Sequence, residues 1–201
     1  MKIICIGKNY ANHAKEMGSK VPTEPLFFLK PDSAILPKKH PFFIPDFSRE
    51  IHYELELLIK IKKLGKHIEK KYASSYYSEI GLGIDFTARD LQNECKINGH
   101  PWEKAKAFDH SAVIGSTFYS IDSLNEIHFE LKKNGNLVQQ GNAKDMVFDF
   151  DDIIHHISKF MTLKIGDIIF TGTPEGVGPI KIGDHLEGFL NGKKIIDLNI
   201  K

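Results

Sequence analysis

An α+β protein, mainly β with a few helices, is expected on three grounds. Apolar and polar residues alternate over residues 52–61, two Asn-Gly pairs separate segments of strand character, and strands and helices do not alternate as parallel βαβ units would. The 201 residues are 41% hydrophobic and contain no repeat or linker-like stretch, so they read as one domain spanning residues 1–201. Twenty-seven basic residues against 26 acidic ones leave a net charge of +1, which excludes the broad positive footprint of a nucleic-acid binder and the net charge of a disordered chain. No apolar run approaches the roughly 20 residues of a membrane span, and the run over residues 3–6 is too short for a secretion signal. No nucleic-acid or membrane partner is expected, and the expected location is cytoplasmic. Cys5 and Cys95 read as two reduced, buried thiols.

Residues 2–6 form a first strand, and residues 11–17 a helical turn. A Pro-punctuated stretch through Pro22, Pro25, Pro31, Pro37, Pro41 and Pro45 follows and reads as irregular, so residues 1–50 are expected to include a mobile lid segment. Over residues 52–61, Tyr53, Leu55, Leu57, Ile59 and Ile61 fall on one face, with His52, Glu54, Glu56 and Lys60 on the other: a half-buried strand. Residues 80–85 read as a second strand ending at Asp85. Thr87 and Asp90 have capping-box spacing ahead of a helix that stops at Asn98-Gly99. Asn134-Gly135 and Asn191-Gly192 predict hairpins, because both central positions of such a turn need φ > 0. Between them, Ile153, Ile154, Ile157, Phe160 and Met161 form a helical stripe behind the acidic start Asp151-Asp152.

Several of these positions could carry chemistry. Glu54 and Glu56, two apart on one strand, point the same way and repel each other, a conflict that a divalent cation with oxygen ligands would resolve. The pair reads equally as the wet face of an amphipathic strand. Asp85 at a strand end could join them, or could be a turn aspartate. His13 and Glu16 are neighbours if their turn is helical, and such a carboxylate orients an imidazole as a general base, although exposed pairs of this kind are common. Lys106, among Trp102, Ala105 and Phe108, could face a developing oxyanion, and Arg89 could clamp a carboxylate. The Gly-rich stretch from Thr171 to Pro179 could hold an anion but lacks the Gly-Lys-Ser/Thr ending of a nucleotide loop. His155 and His156, with no ligand partner at metal spacing, read as surface residues.

Together the stretches 7–13 (GKNYANH), 28–31 (FLKP), 52–56 (HYELE), 83–92 (GIDFTARDLQ), 102–108 (WEKAKAF) and 166–179 (GDIIFTGTPEGVGP) resemble the fumarylacetoacetate hydrolase family. The resemblance is to its short branch of acylpyruvases, oxaloacetate decarboxylases and oxaloacetate tautomerases. It implies a mixed β-sandwich roll, one Mg²⁺ or Mn²⁺ held by Glu54, Glu56 and Asp85, and a homodimer. It also implies that His13 and Glu16 activate water, that Lys106 faces the reacting carbonyl, and that Arg89, Gln92 and Thr173 line the substrate pocket. The expected activity is C–C hydrolysis of acylpyruvates through a metal-bound enolate of a 2-oxo acid, with oxaloacetate decarboxylation alongside. Oxaloacetate tautomerisation, isomerisation of a 2-hydroxy-dienedioate, and non-catalytic 2-oxo acid binding are the alternatives. Lys8 and Tyr53 depart from the family's Gly-Arg-Asn-Tyr and His-His-Glu-x-Glu patterns without removing a metal ligand.

Overall fold

The computed structural model describes residues 1–18, 20–124 and 126–201. The chain opens with β1 (Ile3–Gly7), α1 (Ala11–Glu16) and β2 (Leu26–Lys30), then runs into β3 (Ile51–Tyr53) and β4 (Leu55–Lys60). A short α2 (Lys70–Ala73) leads to β5 (Glu79–Asp85), β6 (Thr87–Ala88), α3 (Arg89–Asn98) and α4 (Glu103–Lys106). Next come β7 (Ala112–Ile114), β8 (Tyr119–Ser120), β9 (His128–Lys133), β10 (Asn136–Asn142) and the amphipathic α5 (Phe150–Phe160). The last strands are β11 (Ile168–Phe170), β12 (Gly178–Pro179), β13 (His185–Leu190) and β14 (Lys193–Asn199). The architecture is the expected α+β mixture.

Among the described residues the largest sheet runs β2-β1-β11-β4-β5-β7, with β8 also on β5. Only β1 and β11 pair in parallel; the other neighbours in that sheet are antiparallel. A second sheet, β10-β9-β13-β14, contains both predicted Asn-Gly hairpins, with Asn134 and Gly135 at φ 52° and 79° and Asn191 and Gly192 at 47° and 75°. The third is the small β12-β3-β6 sheet.

The single half-buried strand expected over residues 52–61 is corrected in two ways. It breaks at Glu54, so that β3 and β4 belong to different sheets, while their partner ribbon breaks at Phe86, between β5 and β6. The register is the same on both sides of the break, Leu55 pairing with Ile84 and His52 with Thr87, which sets Glu54 opposite Asp85. The Asp85 N–H donates to the Glu54 carbonyl at 2.8 Å across this corner. The second correction is burial. Leu55, Leu57 and Ile59 enter a large core with Leu82, Ile84, Phe129, Leu186 and Ile154, as alternation predicts. The opposite face is not wet: Leu58 joins Ile3, Cys5, Ile168 and Phe170 in a second core. Gly83, facing Glu56 in the ladder, is required there, because a Cβ would lie 2.6 Å from the Val113 carbonyl oxygen.

Three smaller expectations also change. The Pro-rich stretch contains β2, paired along β1 from Ile3 to Gly7. The capping box is not formed: Ala88 occupies the N-cap of α3 with no side-chain cap, Thr87 lies in β6, and Asp90 accepts instead from Ser48 Oγ and the Arg49 N–H. His156 is buried between Phe27 and Phe160, and burial lowers its pKa, while His155 Nδ1 contacts the Ile68 carbonyl at 2.7 Å. Cys5 and Cys95 are buried free thiols, as expected.

Because Leu58 is fully buried on the face that also carries Glu54 and Glu56, Leu58→Ala is expected to destabilise the protein by about 2–5 kcal/mol. Chemical denaturation measures this, and a loss below about 1 kcal/mol would show that the second core collapses around the cavity.

Candidate active site

The corner where the ribbon changes sheets brings three acids together. Glu54 lies in the break, Glu56 on β4 and Asp85 at the end of β5, and one oxygen from each lies within 4.8 Å of the others. All three are buried. Three cations face them. Lys106 on α4 donates to Glu54 Oε2 at 2.7 Å, Asp85 Oδ2 at 2.8 Å and Thr87 Oγ1 at 2.6 Å, which uses all of its N–H groups. Arg89 Nη2 reaches Glu54 Oε1 at 2.6 Å, while its Nη1 donates to Gln92 Oε1 at 2.6 Å. Lys30, at the buried end of β2, lies 2.7 Å from Asp85 Oδ1 and donates to Ser111 Oγ and to the Lys106 carbonyl.

The acids divide electrostatically. Burial alone would raise the Glu54 carboxyl, but Lys106 and then Arg89 outweigh it and hold that group well below the usual carboxylate range. Burial, then Asp85 and Glu54, push Glu56 well above its usual value, with Lys106 and the Gly172 N–H only partly offsetting them. Lys106 stays firmly protonated: burial opposes its charge, but Asp85 and Glu54 overcome it. Burial and the Asp85 charge push the Cys5 thiol up, so it is no nucleophile.

The Gly-rich loop closes the site from above. The Gly172 N–H donates to Glu56 Oε2 at 2.7 Å, so the anion this loop holds is the protein's own carboxylate. Gly172 has φ 99°, and a Cβ there would stand 2.7 Å from Asn9 Cβ. The Asn9 side chain binds the Phe148 and Thr171 carbonyls and the Phe148 N–H, locking β1's exit to the loop. Gln139 on β10 accepts from the Leu55 N–H and donates to Thr173 Oγ1 and the Pro174 carbonyl. On α1, His13 Nδ1 lies 3.1 Å from Glu16 Oε2, and Glu16 Oε1 accepts from the Gly176 N–H at 3.1 Å.

Every residue predicted for the site lines or braces one narrow cleft. His13, Glu54, Glu56, Asp85, Arg89, Gln92, Lys106 and Thr173 line it, with Phe28, Trp102, Lys8 and Lys96, and Glu16 stands behind His13. Arg89 faces Glu54 and Gln92, and Lys106 lies between two acids. Lys30, Gln139 and Asn9 were not singled out from sequence. Lys30 and Asn9 lie inside the recognised stretches at 28–31 and 7–13, whereas Gln139 carries no local signal.

The donor set fits a hard divalent cation. Three carboxylates converge in a buried space, and Asp85 Oδ1 receives no directed hydrogen bond despite the approach of Lys30. Glu54, Glu56 and Asp85 are therefore the residues that could hold such an ion, and neither a Cys nor a His stands among them to favour zinc.

The family model described as Fumarylacetoacetate (FAA) hydrolase C-terminal matches residues 2–201. The chain belongs to the fumarylacetoacetate hydrolase family. Oxaloacetate tautomerase FAHD1, mitochondrial, of Bos taurus is 42% identical over 193 residues, 94% of this chain and 87% of that relative. A fumarylpyruvate hydrolase from Pseudomonas aeruginosa, solved in complex with Mn²⁺ and pyruvate, superposes with a TM-score of 0.93 at 33% identity, covering 100% of this chain and 89% of the other. A 2-hydroxyhepta-2,4-diene-1,7-dioate isomerase from Mycobacterium marinum gives 0.85 at 31%, covering 99% and 73%. Members of the family are thus enzymes that hydrolyse, tautomerise or isomerise. No helix of the described residues is long and apolar enough to cross a membrane.

A carboxyl with a raised pKa costs folded-state stability as pH rises from its unfolded value through its folded one. Glu56→Gln removes that cost while keeping an acceptor for the Gly172 N–H. It is expected to raise the thermal midpoint of chelator-treated protein at pH 7 by about 2–4 °C and to weaken Mn²⁺ binding at least about ten-fold. Calorimetry reads both, and a lowered midpoint with unchanged Mn²⁺ affinity would refute the assignment.

Proposed function

We propose that this protein interconverts the keto and enol forms of oxaloacetate, with a divalent cation held by Glu54, Glu56 and Asp85. The observation that carries the reading is the convergence of the buried acid triad and the His13–Glu16 pair on one cleft, in a chain 42% identical to an oxaloacetate tautomerase. On that support we rank tautomerisation ahead of the acylpyruvate hydrolysis expected from sequence.

When bound, the cation supplies Lewis-acid polarisation of a 2-oxo acid's oxygens. The chain's own groups supply the rest. The Glu16 carboxylate can only accept, so His13 Nδ1 carries the proton of their hydrogen bond and Nε2 presents its lone pair. Among the described residues Nε2 has no protein partner, which leaves it free to take a proton from the carbon beside the keto group. The proton it then holds is the one that completes the enol at oxygen, so atoms and charge balance without a co-reactant. The Gly176 N–H fixes the second Glu16 oxygen, which holds the imidazole plane. Lys106 and Arg89 keep Glu54 ionised for the cation. Gln92 Nε2 and the Thr173 hydroxyl hydrogen are the donors left for a substrate carboxylate, since Gln92 Oε1 and Thr173 Oγ1 already accept from Arg89 and Gln139.

A second reading, hydrolysis of acylpyruvates, is favoured by the same dyad, because an oriented imidazole deprotonates water as readily as carbon. Turnover of metal-loaded protein separates the two. Loss of the enol absorbance of oxaloacetate should be fast, and acetylpyruvate should be consumed slowly; the reverse pattern would overturn the tautomerase reading in favour of hydrolysis.

His13→Ala is expected to slow tautomerisation about 10²- to 10⁴-fold and to leave Mn²⁺ affinity intact. Glu54→Gln should lose both. If His13→Ala keeps full activity, the proton carrier lies elsewhere.

A further inference from the structure

Two cations in the cleft have no part in the balance described above. Lys30, Lys106 and Arg89 each face a carboxylate of the triad, but among the described residues neither Lys8 nor Lys96 has an acid within ion-pair distance. Both line the cleft, and both lie nearer solvent than the acids: Lys8 is half-buried and Lys96 exposed, while Glu54, Glu56 and Asp85 are buried. They converge from different elements. Lys96 follows Arg89 and Gln92 at the i, i+3, i+7 spacing of one face of α3, the face turned to the cleft. Lys8 comes from the turn after β1 and holds φ 59°, a left-handed conformation disfavoured for a residue bearing a Cβ. The Asn9 hydrogen bonds and the close approach of Gly172 to Asn9 hold the chain there, so the root of the Lys8 side chain is fixed beside the cleft.

We propose that Lys8 and Lys96 are specificity-determining residues that receive a second carboxylate, so that this site selects 2-oxo acids bearing a distal carboxylate over those ending in an alkyl group. The inference rests on the 2-oxo acid reading of the site. A substrate whose head is held at the acid triad directs its tail toward this mouth, where two unmatched ammonium groups stand. An uncharged tail leaves both charges unanswered. Although Lys96 is exposed overall, partial desolvation where it borders the cleft, then the Arg89 and Lys8 charges, lower its pKa, and an anion bound beside the two lysines relieves that repulsion. Each lysine acts here as a point charge on a flexible stem, so the pair tolerates a range of tail lengths where a bidentate arginine would fix one.

The test uses two inert probes with the same head and chain length, 2-oxoglutarate and 2-oxopentanoate, which differ only in a terminal carboxylate against a methyl. Calorimetric titration of Mn²⁺-loaded protein at low salt should give the diacid at least about ten-fold tighter binding, with the gap narrowing as salt is added. Lys96→Met and Lys8→Asn, the latter chosen because asparagine tolerates the left-handed backbone, should each shrink the diacid-to-monoacid ratio about three- to five-fold. The double variant should bring it close to one. Equal binding of the two probes by the unmodified protein, or an unchanged ratio in both variants, overturns the proposal and leaves the 2-oxo acid reading standing. Binding of neither probe overturns that reading and this one with it.

Discussion

Everything at the corner of the ribbon follows from one electrostatic constraint: three carboxylates share a space too small for their charges. At 4.8 Å and an effective dielectric of about 20, each pair repels by roughly 3.5 kcal/mol, a large share of the stability of an ordinary domain. Lys30, Lys106 and Arg89 answer that repulsion from β2, α4 and α3, and their positions explain otherwise arbitrary features of the chain. β2 ends at Lys30 against Asp85, α4 is a single turn that delivers Lys106, and α3 starts at Arg89 beside Glu54. To these three cations the Gly172 N–H adds a neutralising dipole on Glu56, the acid of the triad that among the described residues has no cation within ion-pair distance.

That arrangement gives the site its chemical bias. Glu54 is held ionised by two cations, while Glu56 is the acid most ready to hold a proton until a stronger charge arrives. A divalent ion would suit both and, once held there, would make the bottom of the cleft more positive. With Lys8 and Lys96 also lining the cleft, such an ion would leave it with cationic charge at both depths, the field on which the proposed preference for a second carboxylate rests.

Much of this was legible in the sequence. Alternation located the ribbon, the Asn-Gly pairs located both hairpins, and the i, i+2 spacing put Glu54 and Glu56 on one face. Alternation misled about that face, because a polar residue every second position looks the same whether water or a ring of buried lysines answers it. Lys30 was illegible to alternation for the same reason, although it lies in the recognised stretch 28–31. β2 shows no clean alternation, and a lysine in a proline-rich stretch reads as solvated until tertiary structure carries it to Asp85, fifty-five positions away. Thr87 and Asp90 matched a local capping pattern, but Lys106 and Ser48 offered them better partners, so tertiary contacts overrode the local signal. Gln139 joins β10 to β4 and the Gly-rich loop through contacts that no sequence window contains.

The unbroken register across the sheet corner bears on how the chain reaches this fold. A slip of one residue in a β ribbon turns every side chain to the opposite face. In this ribbon a slip would drive Glu54 and Glu56 into the aliphatic core among Leu82, Ile84 and Phe129, and set Leu55 and Leu57 against Lys106. Hydrophobic sorting alone penalises such a slip weakly here, because both faces of β4 are buried and apolar residues suit either. The acids make the penalty steep, so the residues proposed to bind the cation also disfavour a shifted register of the ribbon.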